Sequence, residues 1–314
     1  MQYRTLADLS ALVRHSIHQI PHDIDLVVGI PRSGLLPANM IALFLNKKLT
    51  DIDSFVEGKV LGAGERQQYI KDSSIHKVLV VDDSVYTGNA MLKAKNKLQS
   101  LNQFEFIYCA PIVTSAGKEL VDIYFEIIDD DRIFEWNVFH HGFLKFACVD
   151  IDGVLNLDPT EDDDGPIYVD FLKNAVPLFV PTVPIGTFIS CRLEKYREYT
   201  EQWLEAYGVT YEHLELLPFA TKAERVAWGQ HGRYKGEYYA KSNSCLFIES
   251  SKEQAEIIAK ISHKPVLCIE TNTLLHIKEP QTLLKRIRRY TRRHYPEVYI
   301  KLKRLYYKIK GKKM

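Results

Sequence analysis

Between residues 77 and 91 the chain reads KVLVVDDSVYTGNAM. Val78, Leu79, Val80 and Val81 leave no polar face, so a strand built from them has to lie inside a sheet covered on both sides by helices. Two acids end it, and hydroxyls and Gly88 follow before the next helical run. The polar groups therefore collect at the carboxyl end of a buried strand, where open α/β sheets place their chemistry. FACVDIDGVL, at residues 146–155, has the same build: Asp150 and Asp152 close an apolar run and Gly153 follows. Taken alone, that second pair is equally a strand end with two solvated acids. Near the N-terminus DLVVGI, ending in a strand, is followed by a turn with Pro31, Ser33 and Gly34 and by the apolar helical run LLPANMIALFLN. Strand, glycine turn and helix make an anion site, because free N–H groups point outward where the helix dipole is positive.

At 314 residues the chain exceeds one ordinary core and suits two domains and an appendage. With 46% hydrophobic and 26% charged residues, it can fill two cores. Cys109, Cys148, Cys191, Cys245 and Cys268 form no CxxC, the N-terminus is polar, and no apolar run reaches membrane-spanning length; reduced thiols and a cytoplasmic location are expected. The net charge of +1 hides an asymmetry: residues 280–314 carry thirteen Lys or Arg and one acid, leaving −11 on the rest. The boundaries expected are 1–143, 144–279 and a basic helical tail at 280–314, and the fold class is α/β, with two doubly wound domains before the tail.

The first domain resembles the type I phosphoribosyltransferases. KVLVVDDSVYTGN is similar to their signature for 5-phosphoribosyl diphosphate (PRPP), and GIPRSG to their pyrophosphate loop, in the family's order and separation. The resemblance implies that Asp82 and Asp83 accept the ribose 2- and 3-hydroxyls. It implies that Ser84, Tyr86, Thr87, Gly88 and Asn89 cradle the 5-phosphate, with N–H groups forming a nest suited to a dianion. Arg32, Ser33 and Gly34 would hold the pyrophosphate with Mg²⁺. Between the loops, VEGKVLGAGERQQYIKD occupies the place of the family's closing loop, making Lys59 and Arg66 candidate contacts, or simply basic residues of a solvent-facing hairpin. Residues 121–142 take the place of the acceptor-binding hood and contain Trp136, His140 and His141. Trp136 can stack on a nucleobase or a sugar, or belong to the core.

The second domain resembles the haloacid dehalogenase phosphohydrolases, with a minimal cap. DIDG is followed by the β run TFISCR, expected to end at Ser190, and by the strand CLFIE, closing in Glu249. The resemblance implies Asp150 as nucleophile and Asp152 as acid and then base. It also implies Ser190 and a lysine on the phosphoryl group, and Asp150, the Asp152 carbonyl and Glu249 on Mg²⁺. Lys235, in the helix before the Glu249 strand, is the better placed lysine and Lys241 the runner-up. Many members carry two acids at the last motif, whereas Glu249 is followed here by Ser250 and Ser251. About thirty-seven residues separate Asp152 from Ser190, too few for a large folded cap, so the site is expected to be open.

In the tail, Val298, Leu302, Leu305, Tyr306 and Ile309 share one face of a basic helix. Such a helix suits an anionic membrane surface, a packed position on the body, or RNA, since charge alone does not separate headgroups from phosphate polymers; nucleic acid is not the partner expected. The domain order resembles bacterial systems that install ribofuranose in surface polysaccharides, which implies that phosphoribosyl passes from PRPP to a lipid-linked glycan at the inner face of the cytoplasmic membrane and is then dephosphorylated. A nucleobase phosphoribosyltransferase joined to a nucleotidase is the alternative. A PRPP- or RNA-binding regulator is disfavoured by the two retained acid pairs.

Overall fold

A computed structural model of the chain describes residues 1–62, 74–159 and 164–276. It divides into two compact units, Met1–Gly142 and Phe143–Met314.

The first unit runs β1 (Gln2–Arg4), α1 (Leu6–Ser16), β2 (Leu26–Gly29), α2 (Leu35–Leu45), β3 (Lys48–Asp51) and α3 (Ile52–Val56). It continues through β4 (Lys77–Val81), β5 (Ser84–Val85), α4 (Asn89–Leu98), β6 (Glu105–Val113), β7 (Ile123–Ile127) and β8 (Arg132–Phe134). Its main sheet has the order β3-β2-β4-β6-β5, with β7 also on β6, and every pairing is parallel. Successive residues of β4 enter different cores: Val78 and Val80 pack with Phe55, Met91 and Leu98, whereas Leu79 and Val81 pack with Leu9, Val13 and Ile41. Both faces are covered, which is why β4 carries no polar residue between Val78 and Val81. A separate parallel pair joins β1 to β8. The opening helix α1 stops at Ser16. After Ser16 the backbone tightens into a 3₁₀ turn, Ile17–Gln19, which brings Ile20 into the core.

The second unit runs β9 (Ala147–Val149), α5 (Pro166–Asn174), β10 (Ile185–Leu193), α6 (Arg197–Ala206), β11 (Tyr211–Leu217) and α7 (Lys222–Trp228). α8 (His231–Lys241), β12 (Leu246–Glu249), α9 (Lys252–Ser262), β13 (Val266–Cys268) and β14 (Thr273–Leu275) complete it. The sheet order is β11-β10-β9-β12-β13-β14, parallel except for β14. β9, which delivers Asp150, is therefore a central strand between β10 and β12. β10 does not stop at Ser190. It continues to Leu193, and its pairing with β11 shifts register between Ile189 and Leu193, so Ser190 lies in an irregular stretch of a longer strand. Between Asp152 and Ser190 the helical piece is α5 alone among the described residues. The tail at 280–314 and Arg66 lie outside the described residues. No described helix is long and apolar enough to cross a membrane.

Candidate functional site

In the first unit the loop after β2 and the end of β4 are pressed together. A Cβ on Gly34 would stand 2.5 Å from the Ile30 carbonyl oxygen, 2.8 Å from that of Val81 and 2.9 Å from Asp82 Cα. Only glycine fits that approach. Ile30 N–H donates to the Val81 carbonyl at 2.8 Å, fastening the loop to the strand end, and the Pro31–Arg32 peptide is cis. Ser33 consequently reaches the acids: its hydroxyl donates to Asp83 Oδ1 at 2.8 Å. Asp82 Oδ1 accepts the Asp83 N–H at 2.9 Å. Burial, with neighbouring Asp83 adding to it, pushes the Asp82 carboxyl up to about 8.

Beyond the acids, Ser84 is half-buried, Tyr86, Thr87 and Asn89 are exposed, and Gly88 is buried with φ +79° at the start of α4. No side chain caps that helix end, which leaves the N–H groups at the start of α4 open to an anion. The Arg132 guanidinium stands 5.2 Å from the Tyr86 ring centre. Burial pulls its pKa down, opposed by Asp83, Tyr86 and Asp129. Sequence reading passed over Arg132, whose signal was a single basic residue after three acids in the hood segment.

Trp136, Asn137, His140 and His141 line a cavity of about 580 Å³ together with Arg32, Ser33 and Leu36. The segment that follows β8 and the loop that follows β2 thus face one space. Trp136 is committed on two sides: its ring is stacked on Phe134, with centroids 4.7 Å apart and planes 3° apart, and its Nε1–H donates to Asp83 Oδ2 at 2.8 Å. Lys59 is exposed and paired with Glu57.

In the second unit, Asp150, Ser190, Lys235 and Glu249 are all buried. Lys235 Nζ donates to Asp150 Oδ2 at 2.6 Å and to Glu249 Oε2 at 2.8 Å. Lys241, near the end of the same helix, is exposed; the 3.6-residue period turns it away from the face that carries Lys235. Burial raises the Asp150 pKa, with Glu249 adding to it and Lys235 opposing. Burial works against the Lys235 ammonium, but Asp150 and Glu249 outweigh it and raise its pKa. Two carboxylates on one ammonium account for the Lys235 direction, and burial for that of Asp150.

Asp152 has a different partner. Arg192 Nε donates to Oδ2 at 3.0 Å and Nη2 to Oδ1 at 2.6 Å, and Asn156 Nδ2 donates to Oδ1 at 3.1 Å. Arg192 is only 1% exposed and also donates to Asn156 Oδ1 and Thr200 Oγ1. Burial opposes ionisation of Asp152, yet Arg192 outweighs it and holds the carboxyl below its usual range. Arg192 thus holds Asp152 ionised in this arrangement and, by lowering its pKa, makes it a weaker base than a free carboxylate. Arg192 went unread in the sequence, although it stands two residues beyond Ser190 in SCR. Asp158 was also missed: burial, then Asp152 and Glu249, raises its pKa, which places a further acid beside the cluster.

Among the described residues no three His, Cys, Asp or Glu side chains form a group that could hold a metal ion. The donor chemistry nevertheless suits Mg²⁺ at two of the expected ligands. Asp150 and Glu249 are brought to one ammonium, and each keeps a second oxygen turned from Lys235, bonded to Ile151 N–H or to Ser251 N–H and Ser250. Both carboxylate oxygens of Asp152 are taken by Arg192, which leaves its main-chain carbonyl.

Residues 2–146 match the phosphoribosyl transferase domain family. The chain carries a phosphoribosyltransferase domain. Similar solved structures include a purine phosphoribosyltransferase from Pyrococcus horikoshii, 20% identical with TM-score 0.32, covering 43% of this chain and 91% of that one. A xanthine-guanine-hypoxanthine phosphoribosyltransferase from Helicobacter pylori is 19% identical, TM-score 0.31, covering 44% and 95%. An orotate phosphoribosyltransferase from Aeropyrum pernix is 26% identical, TM-score 0.28, covering 37% and 66%. No curated protein matches the chain. The phosphoribosyltransferase domain contains both of the loops described above and ends just before Asp150.

Proposed function

We propose that the chain transfers 5-phosphoribosyl from PRPP to a glycan hydroxyl and then removes the 5-phosphate, building ribofuranose into a bacterial surface polysaccharide. The observation that carries this reading is the presence of a second buried acid cluster, Asp150 with Lys235 and Glu249, in a chain whose first unit is a phosphoribosyltransferase domain.

In the first step Asp82 and Asp83 hold the ribose hydroxyls, residues 84–89 the 5-phosphate, and the loop of Arg32, Ser33 and Gly34 the pyrophosphate. An acceptor hydroxyl in the cavity beside Trp136 and the two histidines attacks C1, the bond from C1 to the pyrophosphate oxygen breaks, and the hydroxyl proton is lost. In the second step Asp150 attacks phosphorus, the bond to the ribose 5-oxygen breaks as Asp152 gives that oxygen a proton, and Asp152 then takes a proton from the water that hydrolyses the aspartyl phosphate. Ser190 and Lys235 hold the phosphoryl oxygens. Mg²⁺ bound by Asp150, Glu249 and the Asp152 carbonyl would neutralise charge on those oxygens. The second unit is read as haloacid dehalogenase-like, and the basic stretch 280–314 as a contact to anionic headgroups near lipid-linked acceptors.

The test is to incubate the protein with PRPP, Mg²⁺ and a panel of glycan acceptors and free bases, following product mass. Wild type should add bare ribosyl, and Asp150→Asn phosphoribosyl. Transfer only to a purine or pyrimidine would replace this reading with base salvage, and faster hydrolysis of PRPP than of the transferred product would remove the second step.

A further inference from the structure

The Asp83 carboxylate has both oxygens engaged by side chains from different parts of the first unit. Ser33 holds Oδ1 and the Trp136 indole holds Oδ2, each at 2.8 Å. Asp83 is only 5% exposed, so these are hydrogen bonds to a charged group shielded from water. An ionised carboxylate accepts about four hydrogen bonds, so what a ribose hydroxyl contests at the buried Asp83 is the space around its oxygens, which Ser33 and Trp136 already fill.

The two are not equally free to yield it. Ser33 sits in the loop that Gly34 seats against the carbonyls of Ile30 and Val81 and that the Ile30 N–H ties to β4. Trp136 is half-buried, beyond the short strand β8, and lines the 580 Å³ cavity on its other side. We infer that Trp136 is a latch on Asp83: its indole N–H competes with the ribose hydroxyl of PRPP, and PRPP binding frees the ring to reset the acceptor cavity. This rests on the reading of Asp83 as a ribose ligand.

Trp136 is accordingly a positioning residue rather than a stacking platform for the acceptor in the resting protein, since Phe134 covers one of its faces. A latch shared by two sites couples them in both directions. An acceptor that draws Trp136 toward the cavity tightens PRPP binding, and PRPP opens the cavity to the acceptor. The coupling favours binding of PRPP before the acceptor whenever the acceptor needs the space that the latched ring occupies.

The competition has a sign that a supporting role does not share. Trp136→Phe keeps an aromatic ring against Phe134 and removes the competing donor. Titration calorimetry of the full chain with PRPP and Mg²⁺ should then show binding roughly fivefold to tenfold tighter than wild type, the scale of one exchanged hydrogen bond. Equal or weaker binding overturns the latch. A second measurement needs no variant: in ¹⁵N-labelled wild type, PRPP should move the indole N–H resonance of Trp136 and leave those of Trp203 and Trp228 in place. If PRPP binds and the Trp136 resonance stays put, the latch is wrong and the transferase reading stands. If PRPP does not bind wild type at all, the transferase reading itself fails and the latch falls with it.

Discussion

The two acid pairs, Asp82 with Asp83 and Asp150 with Asp152, stand at the ends of parallel strands, yet the protein satisfies them by opposite means. The first pair is met by neutral donors: a serine hydroxyl, an indole N–H and a main-chain N–H. The second is met by buried cations, Lys235 on Asp150 and Arg192 on Asp152. Neutral donors leave the first pair short of positive charge, so it suits a ligand that brings hydroxyls and a metal-bound diphosphate. The second pair has its countercharges built in, which suits an incoming phosphoryl group that needs stabilising as it moves.

The largest effect that would sharpen this contrast is at Asp150. Asp150→Asn should lower phosphatase turnover roughly 10⁴-fold and leave transfer from PRPP unchanged, measured as accumulation of phosphoribosylated product. Next comes Arg192→Gln, which strands Asp152 without its countercharge. A loss of about 3 kcal/mol in urea unfolding of the second unit is expected; little loss would mean that the pair is not a stabilising element. Gly34→Ala forces the loop off the end of β4 and should cost about 2 kcal/mol of PRPP binding, read by calorimetry.

The pH dependence separates the pairs further. The folded pKa of Asp82 lies near 8, above an ordinary carboxyl, so the folded state keeps a proton that the unfolded chain has lost. Its contribution is fully present below about pH 4 and is lost as pH rises toward about 8. Asp82→Asn should remove a slope of up to about 1.4 kcal/mol per pH unit from that window, seen by comparing urea melts of the variant and wild type. The smallest effect is expected from Ser33→Ala, about 1 kcal/mol of stability, because Asp83 keeps Trp136.

Local patterns were legible in the sequence. The apolar run before Asp82 is decided by neighbours in the chain, and residues 77–91 disclosed strand, acids, turn and helix together, whereas the need for glycine at 34 comes from the distant end of β4. The sequence already ranked Lys235 ahead of Lys241 by its position in the helix, but its contacts with Asp150 and Glu249 depend on how α8 is turned, which no local pattern gives. Arg192 was hidden because a charged residue inside an otherwise apolar strand reads as an edge, whereas here it is buried by pairing across to Asp152. Ser190 was taken for a strand end because a register shift between neighbouring strands leaves no mark in composition. Trp136 and Asp83 meet only through the folding of the segment after β7, a contact no spacing rule predicts.

β1, residues Gln2–Arg4, pairs in parallel with β8, Arg132–Phe134, and Phe134 carries the stacked ring of Trp136. Residues Gln2–Arg4 are thus one element removed from the ring that lines the cavity. Deleting Gln2–Arg4 would leave every residue proposed to touch PRPP in place while unfastening the strand on which Trp136 leans. The N-terminal strand therefore fastens the support of Trp136 without itself supplying any proposed ligand-binding residue.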